Sequence, residues 1–139
     1  MAYLFDTDAV SELLRAKPIG AFVDWICSIS REDQFVSATT IGELYHGAFR
    51  SPARDRHLVN IESRLIPSVT VLPFDVAVAK VFGRVRAKLH EAGTPLDDAD
   101  VQIASTAIYH ELELVTGNLK HFNRIPGLTL CTALRDARR

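Results

Sequence analysis

The chain is short of cysteine, of excess basic charge and of long hydrophobic runs, and each shortage excludes a class of protein. Cys27 and Cys131 are the only cysteines, too few and too far apart for a disulfide framework or a zinc-ligand pattern. The formal net charge is −1, so any polyanion must be bound locally or through a metal. No apolar run approaches a membrane span, and the N-terminus lacks the basic and apolar segments of a signal peptide. We therefore expect a cytoplasmic protein.

The composition is typical of one folded unit. The chain has 139 residues, of which 47% are hydrophobic and 24% charged, and this size and balance are common among globular domains. No repeat, low-complexity tract or linker interrupts the sequence. We predict a single domain over residues 1–139.

Segments with strand character alternate with segments of helical periodicity. Strands are predicted at residues 2–5, 35–38, 69–72, 112–116 and 128–131. Helices are predicted at residues 9–16, 21–30, 40–50, 54–65, 76–92 and 101–110, and Asp75 is expected to cap the long fifth helix. This alternation predicts an α/β fold with a mostly parallel central sheet of about four or five strands flanked by helices, in three layers.

Polar side chains fall where predicted strands end or helices start. Asp6 follows the first strand, Glu43 lies one turn into a helix, Asp100 stands at a helix start, and Asn118 follows the fourth strand. Strand ends and helix starts share one edge of a parallel sheet, so we expect these residues to converge. Carboxylates in one cleft repel one another, and Mg²⁺ or Mn²⁺ relieves that conflict because it prefers oxygen ligands. Such an ion can polarise a phosphodiester.

Each of these residues also has a purely structural interpretation. Glu43 follows Thr40 at the spacing of a capping box. Asp98 or Asp100 could serve only as a helix cap, and Asn118 beside a glycine is typical of a turn. Asp6 is the hardest to explain in this way, because an acid directly after an apolar strand starts out partly buried.

Taken together, these motifs resemble the PIN-domain ribonucleases, most closely the VapC-type toxins of bacterial and archaeal toxin–antitoxin pairs. The family's strand ending in Asp-Thr appears as FDT with Asp6, and its glutamate-bearing helix as TIGELYHGA with Glu43. Its Asp-x-x-Ile-Ala pattern appears as DVQIAS with Asp100, and its Thr-x-Asn after a strand as VTGN with Asn118. The motifs stand in the family's order and span nearly the whole chain. The family's fold, a PIN-like parallel sheet between helices, agrees with the periodicity.

The resemblance implies a metal-dependent endoribonuclease. Asp6 and Asp100 are expected to bind Mg²⁺ or Mn²⁺, with the Thr7 hydroxyl supporting Asp6 or a metal-bound water. Glu43 is expected to complete the metal site and to help position or deprotonate the attacking water. Many relatives have a fourth acid where this chain has Asn118, a neutral ligand or water-positioning group, and Asp98 is a candidate auxiliary ligand.

The resemblance also implies partners. VapC-like toxins cleave stable or messenger RNA and are silenced by a VapB-type antitoxin, so we expect a cognate antitoxin, a homodimer and a toxin–antitoxin hetero-oligomer. The antitoxin is expected to lay a helix and an extended segment into a groove near the site. RNA phosphates are expected to contact local positive charge at Lys120, His121, Arg124 and Arg50.

Other charged residues are predicted to have no part in metal binding. Asp8 is expected to cap the first helix. No spacing typical of a metal site joins His57, His90, His110 and His121, so surface or helix-end positions are expected for them. The tail that carries Arg135, Arg138 and Arg139 is predicted to be frayed.

Two other functions compete with the nuclease. Asp6-Thr7-Asp8 matches the Asp-x-Asp-x-Val signature of haloacid-dehalogenase-like phosphatases, whose first Asp is a phosphorylated nucleophile and whose second is a general acid. The later acid pair of that family follows an apolar strand, whereas Asp97-Asp98 follows the polar loop AGTPL. The other alternative is a catalytically silent PIN-like domain that only binds a partner.

Overall fold

The computed structural model describes residues 1–139 and contains a five-stranded sheet. The strands are β1 (Tyr3–Phe5), β2 (Gln34–Ser37), β3 (Thr70–Leu72), β4 (Glu113–Val115) and β5 (Leu130–Cys131). Their order in space is β3-β2-β1-β4-β5, and every neighbouring pair is parallel. β1 is therefore the central strand, with Leu4 opposite Phe35 on one side and Leu114 on the other.

Eight helices connect and cover the strands. They are α1 (Thr7–Leu14), α2 (Gly20–Cys27), α3 (Ala38–Arg50), α4 (Arg54–Val59), α5 (Val76–Glu91), α6 (Asp98–Tyr109), α7 (Leu119–Phe122) and α8 (Ala133–Ala137). α4 continues into a wider π-helical turn at Asn60–Leu65, and short 3₁₀ turns lie at Arg31–Asp33 and Ile66–Ser68. No helix is long and apolar enough to cross a membrane.

Successive side chains of a strand point to opposite faces of the sheet. Apolar side chains therefore lie on both faces, and helices cover each of them. Leu4 of β1 belongs to a core formed mainly with α5 and α6, including Val85 and Ala104. The next residue, Phe5, belongs to a second core with Val10 of α1 and Leu134 of α8. The predicted three-layer α/β fold with a parallel sheet is confirmed.

The prediction was wrong at the C-terminal segment. Residues 133–137 form α8, and Leu134 is 0% exposed in the second core. The Arg138 side chain binds Asp8 of α1, so this segment is packed and is not a frayed end. The segment was missed because a helix of this length with one large apolar side chain shows no periodicity.

Candidate active site

Asp6 joins the central strand to the helix that follows it. Its backbone N–H donates to the Val115 carbonyl of β4 at 3.1 Å, and its side-chain Oδ1 accepts from the Ala9 N–H at 2.8 Å. Asp6 is therefore the N-cap of α1, and the prediction that Asp8 fills this role was wrong. β1 ends at Phe5 and α1 begins at Thr7, so Asp6 is the only residue between them.

Burial disfavours the charged form of the Asp6 carboxyl. It is 4% exposed, and burial raises its pKa from the ordinary value of 3.8 to about 7. The Thr116 side chain and the Ala9 N–H oppose this rise in pKa, whereas the nearby carboxylates of Asp8 and Asp100 add to it. A positive charge beside Asp6 would therefore be strongly favoured.

Asp100 lies in a second acidic group with Asp97 and His121. Asp97 caps α6 by accepting the Asp100 N–H at 2.9 Å, and His121 Nε2 lies 2.7 Å from Asp100 Oδ2. One ligand atom from each of the three residues lies within 4.8 Å of the others. Burial raises the pKa of Asp100, His121 lowers it, and Asp97 raises it further.

Glu43 reaches the same edge of the sheet from α3. The Thr7 hydroxyl donates to Glu43 Oε1 at 2.5 Å and lies 3.3 Å from the Thr40 hydroxyl oxygen. The capping-box interpretation of Glu43 was wrong, because Ser37 caps α3 by accepting the Thr40 N–H. Glu43 instead contacts the residue next to Asp6.

The loop after β4 passes beside Asp6. Thr116 is fully buried, and its hydroxyl oxygen accepts the Asn118 N–H at 3.0 Å. Asn118 stands at the start of α7, and its side chain makes no capping hydrogen bond. The amide of Asn118 is therefore exposed and free to contact a water or a substrate oxygen.

The structure brings together most, but not all, of the predicted site residues. Asp100 lies close enough to Asp6 to raise the pKa of Asp6, Thr7 links Glu43 to Asp6, and Asn118 follows on the adjacent strand end. Asp98 turns away from this group, and its Oδ1 pairs with Arg86 Nη1 at 3.5 Å. Arg50 ends α3 about two helical turns beyond Glu43.

Sequence reasoning missed three residues of this arrangement. His121 was expected at a surface or against RNA, yet it contacts Asp100. Asp97 precedes Asp100 by three residues, the ordinary spacing of an N-cap, and that signal was available in the sequence. From the sequence, Thr116 could be identified only as part of the VTGN motif. Lys120 and Arg124 are exposed, as expected for phosphate-binding residues.

The donor set fits a divalent cation. None of the ion pairs joins Asp6, Glu43 or Asp97 to a lysine or arginine. The only basic side chain against these acids is His121. Carboxylate oxygens with one imidazole are ligands that Mg²⁺ or Mn²⁺ accepts, the imidazole being better suited to Mn²⁺.

A groove lies beside Glu43. It has a volume of about 460 Å³ and lies between α1, α3 and the α4 segment. Thr7 and Glu43 line one part of it, and Arg15, His57 and Asn60 line others. Glu43 therefore opens onto a surface that can hold an extended ligand, whereas Asp6, Asp97 and Asp100 do not line this groove.

Comparisons with known proteins agree on one family. The model of the PIN domain matches residues 3–128. The tRNA(fMet)-specific endonuclease VapC of Salmonella typhimurium is 33% identical over 130 residues, which cover 94% of this chain and 96% of the relative. The toxin FitB of Neisseria gonorrhoeae is 32% identical over 124 residues, covering 86% and 89%. The crystal structure of DNA-bound VapBC from Salmonella typhimurium is similar with a TM-score of 0.88 and 31% identity, covering 94% and 97%.

Proposed function

This chain belongs to the PIN domain family, among the VapC-type toxins, and on that premise we propose that it is a Mg²⁺- or Mn²⁺-dependent endoribonuclease. It acts as the toxin of a VapBC-type toxin–antitoxin pair and hydrolyses RNA phosphodiester bonds. The observation that carries the proposal is the group of converging carboxylates without a lysine or arginine partner.

Asp6 and Asp100 hold the cation, and Asp97 and His121 complete or orient the ligand set. When bound, the cation neutralises charge on the phosphodiester and favours attack by water. Because burial raises the pKa of Asp6 to about 7, a divalent cation held beside this carboxyl would favour its ionised form, with loss of a proton near neutral pH.

Glu43 acts on the attacking water. The Thr7 hydroxyl donates a hydrogen bond to Oε1 of Glu43 and so fixes the carboxylate. The other oxygen of Glu43 is left to accept a proton or a hydrogen bond from water. Asn118, with an uncommitted amide at the next strand end, orients the water or the scissile phosphate. This role suits a neutral side chain at the position where many relatives have an acid.

RNA approaches across the exposed basic side chains that follow the site in the sequence. Lys120 lies in α7 and Arg124 lies just beyond it, both shortly after Asn118 in the chain and both exposed, so they are placed to contact phosphates on either side of the scissile bond. Arg50 lies farther along α3 and would meet a more distant phosphate. His121 is better placed to serve the metal than the RNA, because its Nε2 contacts Asp100.

The partner is a VapB-type antitoxin, as in the VapBC complex that this chain resembles. The groove between α1, α3 and α4 fits an extended peptide with a helix, and it opens beside Glu43. A basic side chain of the partner at this end would meet uncompensated carboxylates and block the metal site. We expect a homodimer of the toxin within a larger toxin–antitoxin assembly.

The decisive experiment is cleavage of total RNA by the purified protein with Mg²⁺, Mn²⁺ or EDTA. Asp6→Asn and Asp100→Asn are expected to abolish cleavage. Asp24→Asn, a change of the same chemistry at an exposed position on α2, serves as the matched control and should cleave like the wild type. Full activity in EDTA would contradict the proposal.

Two separate observations distinguish the alternatives from the nuclease. A phosphatase would need Asp8 as a free general acid, but both of its carboxylate oxygens are bound by Arg138. A silent binding module predicts no cleavage by the wild type while antitoxin binding is kept. Cleavage by the wild type and its loss in Asp6→Asn, with the antitoxin still bound, would exclude that module.

A further inference from the structure

A side-chain network unrelated to metal binding joins three distant segments beside the proposed site. Asp8 of α1 receives two hydrogen bonds from Arg138, one to each carboxylate oxygen and both at 3.0 Å. Its Oδ2 also accepts the Gly117 N–H at 3.2 Å. We call Asp8, Gly117 and Arg138 the Asp8 clamp. The paired geometry fixes the orientation of both side chains, which a single contact would not do.

Gly117 is the residue that lets the clamp close. A Cβ at this position would overlap Arg138 Nη1 and Asp8 Oδ2. The backbone conformation is not the reason for glycine here, because Gly117 is not among the glycines with positive φ. The absence of a side chain serves the close approach of Arg138 and Asp8 to the loop backbone.

Arg138 is itself held in place from two sides. Glu12, one turn after Asp8 on α1, has a side chain only 2% exposed and lies 3.5 Å from Arg138 Nη2. Glu12 also accepts hydrogen bonds from Arg15 and from the Ile19 N–H. On the other side, α8 is fixed by the fully buried Leu134. Arg138 therefore meets the loop from a fixed position.

The clamp lies between the residues that form the proposed site. Asp8 stands two residues after Asp6 on the same helix start, while Thr116 and Asn118 flank Gly117. Thr116 influences the Asp6 carboxyl directly. A shift of the Gly117 backbone would thus move Thr116 and Asn118 relative to Asp6. Asp8 and Arg138 are 40% and 37% exposed, and ion pairs this exposed contribute little to overall stability.

We propose that the Asp8 clamp is a positioning device for the active site. Arg138, the C-cap of α8, acts through Asp8 and the Gly117 N–H to hold the loop at residues 116–118 in register with Asp6, so it is a positioning residue and not a catalytic one. The inference rests on the proposed nuclease function for its catalytic readout, whereas the register of the loop is measurable without it.

The test compares Arg138→Gln with Arg135→Gln, a matched loss of charge on the same helix at an exposed residue that pairs only with its neighbour Asp136. Arg138→Gln is expected to lower kcat for RNA cleavage roughly 10- to 100-fold, the usual cost of removing an orienting partner, with KM little changed. Arg138→Lys should recover only part of kcat because an ammonium cannot make the paired contact. Arg135→Gln should match the wild type.

Amide hydrogen exchange gives the readout that does not depend on catalysis. In Arg138→Gln the Gly117 amide should exchange faster, while the core amide of Leu114 in β4 keeps its wild-type protection. Equal acceleration of both amides would mean a general loss of stability and would overturn the proposal. A wild-type kcat in Arg138→Gln would also overturn the proposal. If the wild type itself fails to cleave RNA, the proposed function fails, and the Gly117 amide still decides whether the clamp holds the loop.

A double variant checks that Arg138 acts through Asp8. Asp8→Asn keeps an acceptor for the Gly117 N–H but loses the charge that Arg138 binds, so it should resemble Arg138→Gln. Combining the two changes should cost no more than either alone, because they remove the same interaction. Additive losses would show that Arg138 and Asp8 act separately, against the proposal.

Discussion

Replacing Asp6 with Asn should stabilise the metal-free protein, and the gain should grow with pH. Burial raises the pKa of Asp6 from 3.8 to about 7, so the folded protein holds this proton more tightly than the unfolded chain. Stability is then lost as the pH rises from about 4 to about 7, the range between the unfolded and folded pKa values. Asn carries no charge, so a variant with Asn at this position does not lose stability over this pH range.

The magnitude follows from the difference between the two pKa values. A pKa difference of about three means that Asn should raise the free energy of unfolding by at most about 4 kcal/mol above neutral pH. Between pH 5 and pH 8 the advantage of Asn over Asp should grow by roughly 2.5 kcal/mol. Asn retains the acceptor for the Ala9 N–H and is as good an N-cap as Asp, whereas Asp6→Ala should sacrifice about 1 kcal/mol of this gain.

The assay is urea unfolding of EDTA-treated wild type, Asp6→Asn and Asp6→Ala at both pH values. Asp100, whose pKa is also raised, is present in all three proteins, so its contribution largely cancels in the comparison. Added Mn²⁺ should then stabilise the wild type and leave Asp6→Asn nearly unchanged. Parallel pH dependence of the wild type and Asp6→Asn would refute the reasoning, because it would mean that Asp6 bears no buried charge.

Three further substitutions test other parts of the arrangement. Leu134→Ala should lower the free energy of unfolding by about 2–5 kcal/mol, because its side chain is fully buried; an unchanged urea midpoint would contradict the packing of α8. His121→Asn should weaken Mn²⁺ binding in calorimetry roughly 10- to 100-fold by removing the partner of Asp100, and wild-type affinity would exclude this role. Gly117→Ala should lower the rate of RNA cleavage with little change in melting temperature, since its Cβ would displace the exposed side chain of Arg138; wild-type cleavage would show that the loop has room to spare.

The fold could be predicted from the sequence because its signals are local. Each buried strand is a short run of apolar residues, and the stripe of α5 with Asp75 as its cap gives an unambiguous helix. Three-layer packing follows once such strands alternate with helices. The convergence of Asp6 and Asp100 followed from the same topology, since both stand at the carboxyl edge of the sheet.

The finer contacts could not be predicted, since they join residues far apart in sequence. Asp8 meets Arg138 across 130 positions, and His121 meets Asp100 across 21. The sequence predicted Asp8 as the cap of α1, and only the position of the helix start, directly after Asp6, shows that Asp6 fills this role. Neither periodicity nor spacing contains that information.

The direct junction between β1 and α1 makes this part of the chain intolerant of changes in length. Asp6, Thr7 and Asp8 follow one another and face three different neighbours: Asp100, Glu43 and the Arg138 side chain. One inserted residue after Phe5 would rotate the helix start by about 100° and misdirect all three together. Point substitutions here act one contact at a time, whereas an insertion or deletion would dismantle the whole arrangement in a single step.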